Sequence, residues 1–137
     1  MDSTSGVLRG RPYGGLAIMW RKSLGGCKII DMSDKRLMCI EVDNSDKCLF
    51  FINVYMPVDG YDNLDEFLSY LAKLNSYVEE LNSPYVAFFG DFNANCEEGK
   101  SSLFGKELAR FCKEENFSMA DQTYCPASSF TFFQCTS

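Results

Sequence analysis

A chain of 137 residues, 46% of them hydrophobic and 15% aromatic, is one domain or a piece of one, with enough apolar side chains to exclude disorder. Its net charge of -6 excludes a general nucleic-acid coat, since non-specific affinity for DNA or RNA comes from Lys and Arg neutralising phosphates; any phosphate contact has to be local. The sequence has no histidine, and its seven cysteines are scattered singly, which excludes the usual zinc sets, a histidine base and a disulfide framework.

In chain order, residues 1–9 read as a flexible N-terminus, and Met1 to Gly6 lacks the apolar stretch of a secretory signal. No apolar run approaches the ~20 residues that span a bilayer, so an intracellular protein with reduced thiols and no membrane partner is expected. After the Arg11-Pro12-Tyr13-Gly14-Gly15 turn, Leu16 to Trp20 is predicted as a short strand. Cys27 to Asp31, Arg36 to Val42 and Cys48 to Tyr55 follow as strands parted by polar turns, in an antiparallel meander that Pro57 closes. From Leu64 the period changes to about 3.6. Phe67, Leu71, Leu74, Val78 and Leu81 share one face, which predicts a sheet-packing helix that Pro84 stops.

Val86-Ala87-Phe88-Phe89 is a continuous apolar run, the pattern of a strand buried on both faces, and Gly90, Asp91 and Asn93 follow it directly. Strand, helix, strand is a β-α-β unit, whose crossover puts both strands' carboxyl ends on one side, so Tyr55 and Asp91 become neighbours. Open α/β sheets carry ligand chemistry at such strand ends. The same spacing also suits a turn in which Asp91 and Asn93 satisfy backbone N–H groups. A second helix is predicted from Leu103 to Asn116, and Phe130 to Phe133 begins a last strand. The Val86 strand is expected to start or join a second sheet with Phe130 to Phe132 nearby.

Three ordered segments carry a resemblance: G-R-P-Y-G-G-L-A-I-M-W-R-K from Gly10 to Lys22, N-V-Y-M-P from Asn53 to Pro57, and G-D-F-N-A-N from Gly90 to Asn95, with S-F-T-F at Ser129 to Phe132 as a fourth. Together they resemble the endonuclease/exonuclease/phosphatase superfamily. The first segment is most similar to the apurinic-endonuclease-like domain of non-LTR (LINE-type) retrotransposons. The resemblance implies a partial domain over residues 10–137, of α/β (α+β) class: an incomplete four-layer α/β/β/α sandwich of the DNase I-like type. It further implies Mg²⁺-dependent phosphodiester hydrolysis with DNA as the ancestral substrate, and flanking domains of a reverse-transcriptase polyprotein as partners. Carried over by position, Asp91 would bind the metal and activate the attacking water. Asn93 would orient that water or the transition state, and Tyr55 would donate its phenol to the scissile phosphate. Asn95 and Asp121 would support them, and Asn53 reads as a structural hydrogen-bonder.

The departures from the family pattern matter as much as the matches. Members open with strands bearing an Asn and a metal-binding Glu before the glycine-rich segment, and here only Met1 to Arg9 precedes it. Members close on an Asp-His pair, which this histidine-free chain does not have. The expectation is therefore a domain truncated at both ends that keeps the middle of the site and is inactive as given. The alternative is a non-catalytic binding or scaffold module that retains the fold.

Overall fold

The computed structural model describes residues 15–97 and 99–120. The chain divides into two compact units, Met1–Met56 with Val78–Phe92, and Pro57–Tyr77 with Asn93–Ser137.

The first unit holds a four-stranded sheet in the order β1 (Cys27–Ile30), β2 (Leu37–Asn44), β3 (Lys47–Tyr55) and β4 (Val86–Asp91). β1, β2 and β3 are antiparallel neighbours, and β4 lies parallel to β3. The β2–β3 hairpin closes on the pair Asn44 and Lys47, with Ser45 at φ 58 in the tight turn. The turn fixes the register, and the register segregates the side chains. Leu37 and Cys39 line up with Val54 and Ile52 on one face, and all four are buried. The meander is thus as the period-two stretches predict.

β4 reaches the sheet through α1 (Leu64–Leu81), so the β-α-β crossover forms. The helix ends three residues before Pro84: Asn82 adopts a left-handed φ of 48 and its N–H bonds Val78 O, the usual αL stop. Ser83 Oγ then donates to Cys48 O and accepts from Tyr85 N, which aims the chain into β4.

Three expectations are corrected. Leu16 to Trp20 forms no strand; Leu16 and Ile18 are only half-buried, Met19 is 92% exposed, and Ala17 O accepts a side-chain bond from Asn53 Nδ2. The Val86 strand is not buried on both faces. Val86 and Phe88 are half-buried while Ala87 and Phe89 are exposed, as befits an edge strand among the described residues. It also joins the meander rather than starting a second sheet, because its N-terminal entry is tied to β3 by Phe50 N bonding Tyr85 O. Phe130 to Phe132 lie outside the described residues.

The second unit contains the first part of α1 and all of α2 (Leu103–Glu114). Phe67 and Phe104, both fully buried, stack with ring centroids 4.0 Å apart, and Leu71, Leu74 and Leu108 complete the buried set. Ser102 caps α2 by accepting from Gly105 N. Gly105 passes so close to Asn95 O that a Cβ there has no room. The loop and the helix start are thereby fixed to each other.

Candidate functional site

Because β3 and β4 run parallel, their carboxyl ends emerge on the same edge of the first unit. Their register sets Tyr55 opposite Asp91 and Asn53 opposite Phe89, all four on one sheet face. Met56 N bonds Asp91 O at 2.9 Å and extends the ladder past the paired tips. Gly90 makes this close pairing possible: its φ is 122, and a Cβ would run into Val54 O. The glycine before Asp91 is therefore required by the sheet as much as by any chemistry.

Tyr55 is 37% exposed and Asp91 is half-buried, and the register puts these two residues, one bearing a phenol and one a carboxylate, on neighbouring strand ends. A third group joins them that the motif does not contain. The Arg36 guanidinium lies 5.5 Å from the centre of the Tyr55 ring, and its Nη1 donates to Tyr55 O at 3.0 Å. The backbone of Arg36 is fixed as well. Its N–H bonds Asp34 Oδ1 at 2.8 Å, and its carbonyl accepts from Tyr55 N at 2.9 Å. The signal that finds Arg36 is the hairpin register, which, carried one step past Leu37 and Val54, sets residue 36 against residue 55.

The other residues singled out from the sequence fall elsewhere. Asn53 is buried, and its Nδ2 donates to Ala17 O at 3.0 Å, so it ties residues before β1 onto β3. That is a structural hydrogen bond. Asn93 belongs to the second unit, half-buried with a left-handed φ of 49. Asn95, also in that unit, organises the loop before α2: Nδ2 donates to Lys100 O, Oδ1 accepts from Glu97 N, and its own N–H bonds Ser102 Oγ. Asp121 lies outside the described residues.

Among the described residues no three His, Cys, Asp or Glu side chains are grouped to hold a metal, and Asp91 stands at the rim as one carboxylate. What the rim offers by itself is hydrogen bonding and charge: a phenol O–H and a guanidinium toward an oxyanion, and a carboxylate toward a water proton. Two clefts of the first unit open at the opposite, amino end of β3, among the described residues. One of about 220 Å³ is lined by Leu49, Phe51, Tyr85 and Ala87, and one of about 280 Å³ by Leu24, Val42 and Phe51.

A comparison with protein-family models finds none that matches the chain, and none of the curated proteins matches it either.

Proposed function

We propose that the chain carries the middle of a phosphodiesterase site of the endonuclease kind encoded by non-LTR retrotransposons, and that as given it does not cleave DNA at a useful rate. The observation that carries this reading is the register pairing of Tyr55 with Asp91 at the ends of two parallel strands. Tyr55 donates to a phosphate oxygen, and Asp91 orients and deprotonates water. A mixed four-stranded sheet and two helices are compatible with part of the four-layer α/β/β/α sandwich that this reading expects. DNA is the ancestral substrate, a reverse transcriptase encoded in the same reading frame is the expected neighbour, and the protein acts inside the cell.

Inactivity follows from the chemistry of the set. Phosphoryl transfer depends on electrostatic stabilisation by several groups acting as a unit, and losses within such a unit are strongly non-additive. A histidine-free chain, in which no three His, Cys, Asp or Glu side chains are grouped among the described residues, is not expected to supply that unit by itself. A second reading, a non-catalytic binding module, is favoured by Asn53 and Asn95, whose amides are engaged in holding the fold rather than a ligand.

A supercoiled-plasmid nicking assay in Mg²⁺ and in Mn²⁺ tests the claim, comparing the chain with Asp91→Ala. Equal background in both is the expected result. Robust nicking that disappears in the variant would overturn the inactivity. Adjoining coding sequence with the Tyr-x-Asp-Asp motif of a reverse transcriptase supports the retrotransposon origin, and an intact independent gene favours the binding module.

A further inference from the structure

We propose that the sheet face carrying Leu49 and Phe51 is a dimerisation surface, and that its partner is a second copy of this chain. Alternation along the paired strands puts Ile29, Ile40, Phe51 and Ala87 in one row across all four strands of the first unit, with Leu49 to one side of the row and Phe89 to the other. The opposite face holds the buried set of Leu37, Cys39, Ile52 and Val54. On this face water still reaches large apolar side chains: Ile29 is 68% exposed and Phe89 40%, and Leu24 at 53% and Tyr85 at 42% border the clefts on either side of Phe51. At roughly 200 Å² for each of these four side chains, the exposed fractions leave on the order of 400 Å² per copy, or about 800 Å² for a pair. Exposed Ala87 and half-buried Leu49 and Phe51 bring the pair to the roughly 1,000 Å² at which specific interfaces begin, which makes the dimer a weak one.

Shape and charge both favour a copy of the same face as the occupant. The two clefts share Leu49 and Phe51 as walls, one cleft lying toward Tyr85 and Ala87 and the other toward Leu24 and Val42. Leu49 and Phe51 are therefore a ridge between two hollows. A two-fold axis parallel to the strands and offset from the ridge sets each copy's ridge into the other's larger hollow, so both contacts form at once and the assembly closes at two. Charge suits the same arrangement. Lys28, Glu41 and Asp43 lie on the opposite face, and Lys47 and Asp91 lie at the two ends of this one. Between those ends the strand residues of this face carry no formal charge. Two copies of a chain of net charge -6 can meet there without burying like charges, and the centre offers no carboxylate to select a basic partner.

Sedimentation velocity of the full-length chain, from low to high micromolar concentration, tests this. A reversible rise from the mass of one chain toward that of two is expected, and added NaCl should strengthen it, because salt screens the repulsion between two acidic chains. Ile29→Lys enters a two-fold interface twice, once per copy, and should weaken the apparent Kd roughly tenfold or more. Leu24→Lys should do the same, whereas Tyr61→Ser, which removes a ring 82% exposed in the second unit, should leave the Kd unchanged. Amide resonances of β2 and β3 report whether each variant keeps its fold. Isotope-filtered NMR on a mixture of labelled and unlabelled wild-type chain needs no variant: Phe51 of one copy should show contacts to Leu24 and Val42 of the other, and their absence from the dimer overturns the proposal. A chain that stays monomeric at every concentration also overturns it, with the face left to another protein or to the rest of the chain. So does association that is unchanged in the folded Ile29→Lys and Leu24→Lys variants, that weakens equally in Tyr61→Ser, or that runs on past two copies.

Discussion

Cys39 lies in the middle of β2 with no exposed surface, and burial pushes its thiol up to about 11, with the nearby Glu41 carboxylate adding to the effect. At neutral pH it holds roughly a hundredfold less thiolate than an ordinary cysteine. Of the described cysteines, Cys48, exposed near the start of β3, is expected to react first with a maleimide, and Cys39 only when the sheet opens; mass spectrometry of the time course reads the order. The same displacement links stability to pH. The fold favours the protonated thiol, so stability is full below the unfolded value of about 8.5 and falls as the pH rises from there toward 11. Cys39→Val should remove part of that slope in urea melts at alkaline pH, and burial raises Cys112 in the same direction. Residue-scale features of this kind differ in how well a sequence displays them. Asp91 and Tyr55 are legible because each closes an apolar run. Arg36 is not, because its place beside Tyr55 depends on a hairpin register that the polar stretch Asp43 to Asp46 leaves open until Ser45 and Asp46 are known to be the turn.

At the scale of elements, Gly90 is the position where local conformation and sheet pairing meet. Gly90→Ala forces an L-residue to φ 122 and drives a Cβ into Val54 O, so a loss of roughly 1–3 kcal/mol from conformation alone is expected, with the contact adding to it. A lowered urea midpoint and deprotected β4 amides are the readouts. α1 is the most legible element because its apolar spacing persists over four turns, and Phe67, Leu71 and Leu74 are buried as that spacing predicts. Shorter runs misled. Leu16 to Trp20 is apolar without being a strand, and the adjacent Phe88 and Phe89 read as burial on both faces although period two sends them to opposite sides. Composition over five residues does not separate these cases; the neighbours of the strand do.

At the scale of the whole molecule, the sheet combines two kinds of pairing. β1, β2 and β3 join through tight local turns, whereas β3 meets β4 only after the chain has passed through everything from Met56 to Tyr85. Local pairings close early, and a parallel pair has a long loop to close first. In pulsed hydrogen exchange during refolding, the amides of β2 and β3 that face each other are expected to gain protection before those of β4, and simultaneous protection would contradict this order. The edge where Tyr55 meets Asp91 is then a late product of folding. Any ligand that needed both strand ends would bind only the finished sheet, and by mass action it would shift the chain toward the state in which β4 is docked. Such a ligand would be a part of what keeps the last strand in place.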